Sequence, residues 1–224
     1  MPPLFLPTHV ENQAAMAKYM RNQFEFLGVR SPERRLLTRP IIRESRQLDL
    51  PTLQTWLSYY YQQPYREYQY VAIDLAFANV KRLTPDQYAW CREQTTKQAW
   101  WDSVDAWRKV LATYIFEHDA LQTLGTDLLN APDVWLRRVS LTLQLGRKVA
   151  TNQAYLRQAI QLNATDHEFF IQKAIGWALR DYAKTNADWV QRVLTTVPVS
   201  NLAQREALKA YKNTPNQSAG GSVE

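Results

Sequence analysis

Apolar residues recur at three- and four-residue spacing along most of the chain. The pattern predicts helices over 14–26, 32–43, 52–61, 65–80, 85–93, 99–116, 132–145 and 168–184. Strand-type alternation is weak throughout. Several starts are marked: Ser31-Pro-Glu33, Thr84-Pro-Asp86 and Ala131-Pro-Asp133 each bring proline and an acid to a first helical turn. Short connections between such helices indicate antiparallel hairpins. No stretch approaches the roughly 20 apolar residues of a membrane span. The opening residues, with Pro2, Pro3 and Pro7, lack the positive charge and long apolar run of a secretory signal. A soluble cytoplasmic protein is expected.

Four of the helices can be laid on one another without gaps. They open on Tyr68, Trp101, Trp135 and Phe169, aromatic positions separated by 33, 34 and 34 residues. A period in this range predicts stacked helix pairs, none of which buries its apolar face alone. The Trp-x2-Leu-Gly-x2-Tyr signature of the tetratricopeptide repeat is missing, so a HEAT-like or armadillo-like arrangement fits better. The expected fold is therefore all-α: a single-domain α-solenoid of stacked antiparallel helix pairs spanning 1–212, with an irregular stretch over 1–10. Coincidental spacing of four amphipathic helices is the alternative. Residues 213–224 are turn-rich and expected to be disordered.

In such a stack the second helix of each pair lines a concave face. Those helices carry Arg66, Arg108, Arg137, Arg138, Lys173, Arg180 and Lys184, together with Tyr68, Trp101, Trp135 and Trp177. Cations interleaved with aromatic rings suit a phosphate backbone flanked by sugars and bases. The formal charge of +6 permits a polyanionic partner without requiring one. Composition narrows the chemistry further. A single cysteine, Cys91, excludes an internal disulfide, and with three scattered histidines it argues against a thiolate zinc site. Phosphate-binding glycine loops, the Gly-x-Ser-x-Gly nucleophile turn and the His-Glu-x-x-His metal motif are all missing. No metal and no cofactor is expected.

One segment stands apart, Lys97-Gln-Ala-Trp-Trp-Asp-Ser-Val-Asp105. On a helix Trp101 and Asp105 share a face, while Trp100 and Val104 point elsewhere and are expected in the core. A carboxylate beside an indole face stabilises a cation twice, by Coulomb attraction and through the ring quadrupole. The spacing leaves a second reading open, which the residues alone favour. In it Asp105 pairs with Arg138 as an interhelical salt bridge and Trp101 merely packs.

From about Met16 to Lys209 the chain resembles the AlkD-type family of bacterial DNA alkylation repair enzymes, HEAT-like-repeat alkylpurine DNA glycosylases. The matching segments run in order. They are Met16-Ala-Lys-Tyr-Met-Arg-Asn22, Phe26-Leu-Gly-Val-Arg-Ser-Pro-Glu-Arg-Arg35, Arg66-Glu-Tyr-Gln69, Trp100-Trp-Asp-Ser-Val-Asp105, Trp135-Leu-Arg-Arg138, the long run Phe169–Asn186 and Ser200–Lys209. The resemblance implies a monofunctional glycosylase that releases N3- and N7-alkylated purines, such as 3-methyladenine and 7-methylguanine, from double-stranded DNA. It further implies action without base flipping, tolerance of bulky adducts, and a monomer in the bacterial cytosol associated with the nucleoid. Asp105 takes the position of the catalytic aspartate, with Trp101, Trp177 and Arg138 as its partners. Tyr19 matches a tyrosine near the damaged pair, and Arg66, Arg137, Arg147, Lys148, Lys173, Arg180 and Lys184 are expected DNA contacts. A non-catalytic binder of bent or branched DNA, and a protein-binding scaffold, are the rival readings. The three early prolines depart from the family's fuller first helix and put the end-capping of the stack in question.

Overall fold

The computed structural model describes residues 2–211, so the expected disordered tail at 213–224 lies outside the described residues. Among them the chain is all-α, as expected. Twelve α-helices are joined by short turns, and the β structure is limited to an isolated bridge between Glu25 and Tyr65. The described chain falls into two compact units, 2–124 and 125–211. No helix among the described residues is long and apolar enough to cross a membrane.

The first unit holds α1 (Val10–Tyr19), α2 (Ser31–Ser45), α3 (Leu50–Tyr61), α4 (Arg66–Ala78), α5 (Pro85–Gln94) and α6 (Trp101–Glu117). α3 pairs with α4 and α5 with α6, while α4 also packs against both α2 and α6. Tyr68 and Trp101 stand in the first turns of α4 and α6, the second members of their pairs. Buried Leu53, Leu57, Leu75, Trp107, Leu111 and Ile115 form the core between these layers. Local chemistry sets the starts. Asp49 accepts the Thr52 N–H at 2.7 Å before α3, and Thr84 and Gln87 cap α5 reciprocally.

α1 differs from expectation, beginning at Val10 and ending at Tyr19 instead of spanning 14–26. Arg21 and Asn22 adopt left-handed φ values of 55° and 57°, which end the helix. The apolar residues beyond it, Met20 and Phe26, are buried from a loop. The buried Glu67 carboxylate holds that loop by accepting the N–H groups of Leu27, Gly28 and Val29 at 3.0, 2.9 and 3.1 Å. Gly28 sits at φ +92°, and a Cβ there would meet the His9 carbonyl oxygen at 2.1 Å. Glycine is required by both conformation and space. Residues 2–9 form no helix but pack on the unit. Leu6 donates its N–H to the Tyr68 hydroxyl at 3.0 Å, Tyr60 donates to the Pro3 carbonyl, and Phe5 meets Tyr60 and Tyr68 edge-on. The proline-rich start thus covers the apolar surface of α3 and α4.

The second unit holds α7 (Thr126–Leu129), α8 (Val134–Thr142), α9 (Gln153–Asn163), α10 (Phe169–Ala183), α11 (Ala187–Thr196) and α12 (Asn201–Leu208). α10 packs against α8 and, most extensively, α12. Gly176 permits the second approach, since a Cβ there would lie 2.4 Å from the Glu206 Cβ and 2.8 Å from the Ala203 carbonyl oxygen. α8 starts later than its proline predicts. Asp133 is the cap, accepting the N–H groups of Trp135 and Leu136. α7, α9, α11 and α12 have no counterpart among the expected helices, although α9 buries Tyr155, Leu156, Ala159, Ile160 and Asn163 at helical spacing.

Candidate active site

The start of α6 carries the two residues with the strongest chemical promise. Trp101 is the first residue of the helix and Asp105 lies one turn on; both are half-buried, whereas Val104 and Trp107 are fully buried. Trp100, expected in the core, is half-buried. The Trp101 ring meets Tyr19 of α1 edge-to-face, with centroids 5.7 Å apart and planes at 82°. The packing of α1 described above therefore sets one wall beside Trp101. Tyr19 itself is 70% exposed, a large aromatic surface left open to solvent.

A buried ionic cluster fixes this helix start. Arg66 is fully buried, and its guanidinium donates to Asp102 through Nε at 2.9 Å and a terminal nitrogen at 2.8 Å. It also reaches the Ser103 hydroxyl and the Gln98 carbonyl, each at 2.8 Å, as well as Gln69, and stacks over Phe24 at 3.7 Å. Tyr70 donates its hydroxyl to the same Asp102 carboxylate. Burial, reinforced by that carboxylate, pushes the Tyr70 phenol far above its ordinary range. The connection before α6 is tied down as well, for Gln98 has φ 49° and Tyr61 donates to the carbonyls of Gln94 and Lys97. Arg66, expected to touch DNA, has no exposed surface with which to do so. It positions the residues that flank Trp101, and the sequence reading missed its counter-ion Asp102.

The remaining expected site residues belong to the second unit. Arg138, on α8, is buried, donates to the Phe170 carbonyl at 2.7 Å and lies over the Phe170 ring. Trp177 is half-buried on α10, the helix that packs against α8. Arg137 donates to Asp166 at 2.9 Å, to Asn163 and to the Pro132 carbonyl, which joins α8 to the segment following α9. Lys173 and Arg180 both face Glu206 of α12, at 2.8 and 3.5 Å, and Lys209 joins them. The hydrogen bonds from Lys173 and Lys209 hold the Glu206 carboxyl down at about 2. One carboxylate is thus shared by three cations, which compensates locally part of the charge expected for DNA on α10. Lys184 is exposed at the end of α10, and Lys148, at φ 50°, is exposed beside half-buried Arg147 on the turn after α8. The Gly146 N–H in that turn donates to Asp181.

The other notable side chains have local roles. Cys91 is fully buried, and burial pushes its thiol far above the ordinary range. His118 ends α6, bonded to the Tyr114 carbonyl and stacked on that ring, and His9 bonds Glu33 at 3.0 Å. No group of three or more His, Cys, Asp or Glu among the described residues is arranged to hold a metal ion.

Comparison with known proteins gives a consistent result. The sequence model of the DNA alkylation repair enzyme family matches residues 8–211. Among solved structures, the chain is similar to a predicted DNA alkylation repair enzyme from Enterococcus faecalis. The two share 42% identity with a TM-score of 0.91, over 95% of this chain and 100% of the other. No curated protein matches.

Proposed function

Since the chain belongs to the DNA alkylation repair enzyme family, we propose that it is a monofunctional DNA glycosylase acting on cationic N3- and N7-alkylated purines in duplex DNA. The observation that carries this reading is the pairing of Trp101 and Asp105 one turn apart on α6, with Tyr19 against the indole. A purine alkylated at N3 or N7 is positively charged. When its bond to the sugar breaks, the bonding pair neutralises the base, so no general acid is required. This differs from sugar-cleaving carboxylate pairs, which must protonate an oxygen. Water supplies the hydroxyl that C1′ acquires, and its proton passes to solvent. The charge left to stabilise is the oxocarbenium character of the deoxyribose. Asp105 provides a fixed negative charge for it and orients the water, and Trp101 offers an indole face. Arg138 and Trp177 belong to the second unit. Their parts, a grip on phosphate and a second aromatic face for the sugar, rest on the family resemblance.

An electrostatic group of this kind contributes roughly 3–4 kcal/mol, a hundredfold to a thousandfold in rate. Asp105→Asn should therefore lose that factor in release of 7-methylguanine and 3-methyladenine from methylated duplex while retaining DNA affinity. A variant as active as the parent removes Asp105 from the mechanism. A parent that binds methylated DNA but frees no base removes the glycosylase assignment. Action without base flipping and the acceptance of bulky adducts are parts of the same proposal, and release of a bulky N7 adduct tests the second.

A further inference from the structure

α6 begins without the usual anchor. Trp100 stands at its N-cap and has no side-chain oxygen with which to accept a first-turn N–H. The helix start is held from α4 instead. Arg66, Tyr70 and Asp74 follow one another at four-residue spacing, so they share one face of α4. From that face the Arg66 guanidinium grips both oxygens of Asp102, at 2.8 and 2.9 Å, and Tyr70 adds its hydroxyl to one of them. Asp74 pairs with Arg34 of α2, whose guanidinium lies 4.9 Å from the Tyr70 ring centre. The two arginines cancel the two carboxylates, and Tyr70 is the uncharged link between the pairs. Arg66 is fully buried, whereas Tyr70 is half-buried and lines a hollow of about 700 Å³ together with Trp101 and Asp102.

We infer that Tyr70 is a positioning residue for base release. Through Asp102 its hydroxyl fixes the first turn of α6, and with it the Trp101 indole and the Asp105 carboxylate. The inference rests on the preceding reading of that pair. Asp102 directly follows Trp101 and precedes Asp105 by three residues, within one helical turn of both. A carboxylate gripped by Arg66 alone can pivot about that guanidinium. A second donor, arriving one turn further along α4, removes the pivot. The phenol keeps its proton, because burial and the Asp102 carboxylate push it far above its ordinary range. Tyr70 therefore donates a bond and transfers nothing. Placement is where the rate is gained. The charge of Asp105 helps only where the sugar cation forms, and a misplacement of about 1 Å costs about a hundredfold.

Tyr70→Phe tests it in the full chain, keeping the ring and its contacts with both arginines while removing the hydroxyl. Single-turnover release of 7-methylguanine from methylated duplex should slow about tenfold to a hundredfold, while affinity for that duplex, set by phosphate contacts, changes by less than about twofold. A lost affinity with an unchanged rate at saturation overturns the inference. If Tyr70 acts through Asp102, the double variant Y70F/D102A is no slower than D102A; losses that multiply show an independent role and overturn it. Tyr60→Phe, which loses a hydroxyl bond to the Pro3 carbonyl in the same unit, should keep the parent rate, and an equal loss there also overturns it. Hydrogen exchange scores the tether without any chemistry. The Val104 N–H, bonded to the Trp100 carbonyl at 3.0 Å, and those following it in α6 should exchange faster in Tyr70→Phe; unchanged exchange overturns the inference. A parent that frees no base refutes the glycosylase reading and with it any part for Tyr70 in release. An active parent with an equally fast Tyr70→Phe variant refutes the inference alone.

Discussion

Replacing Asp102 with alanine removes the only carboxylate that, among the described residues, is bonded to the fully buried Arg66. In the folded protein the Arg66 guanidinium makes two bonds of 2.8–2.9 Å to that carboxylate, and its other partners, Gln69, Gln98 and Ser103, are neutral. Asp102 is itself 6% exposed, and its place in the first turn of α6 sets it against the positive end of the helix dipole. Breaking a buried pair from one side leaves an uncompensated charge, which costs about 3–5 kcal/mol. For a chain of this size each kcal/mol lowers Tm by about 2–4 °C, so Asp102→Ala should melt roughly 6–20 °C below the parent. Thermal unfolding followed by circular dichroism reads this directly. The companion is the double variant Arg66→Met, Asp102→Leu, which removes both charges and refills their volume. If the single variant suffers from an isolated charge, the double variant recovers most of the loss, because apolar replacement of a buried pair is often neutral. Two results would refute the reasoning. One is a single variant within about 1 kcal/mol of the parent, meaning water reaches Arg66 freely. The other is a double variant no better than the single, meaning the bonds themselves hold α6 in place.

Two further predictions concern α10 and α12. Gly176→Ala gains up to about 1 kcal/mol of helix propensity. Its Cβ, however, would stand 2.8 Å from a backbone oxygen of the facing helix. Overpacking costs about 1–3 kcal/mol, so net destabilisation is expected in urea unfolding; a more stable variant would show that the helices separate freely. Glu206 is held at about 2 against an ordinary 4.5. A depressed carboxyl contributes stability that is fully present above the unfolded value and lost as pH falls through the folded one. The parent should therefore lose stability between about pH 4.5 and pH 2, and Glu206→Gln should be less stable at neutral pH with a flatter acid limb. Parallel limbs would place the acid sensitivity elsewhere.

Much of this protein is legible from local pattern. Helical periodicity and proline-acid starts are properties of short segments, and they located α2, α3, α5 and α6 closely. The 33–34-residue spacing of the aromatic positions marks the openings of second helices, which is where Tyr68 and Trp101 stand in one unit and Trp135 and Phe169 in the other. Trp101 and Asp105 share a face because four residues is nearly one helical turn, a fact independent of anything distant. The fate of each charge was not legible in this way. Arg66 and Lys173 look alike as cations on second helices. Yet one is consumed by Asp102, thirty-six residues later, and the other leans on Glu206 of α12. Arg35 and Arg46, by contrast, make no ion pair among the described residues. The end of α1 differs from the pattern for the same reason, because Glu67, forty residues on from Leu27, holds the loop that takes over from the helix. Periodicity is a short-range property written along the chain. Charge compensation and burial depend on what the fold brings within a few ångströms, and only the tertiary structure decides that.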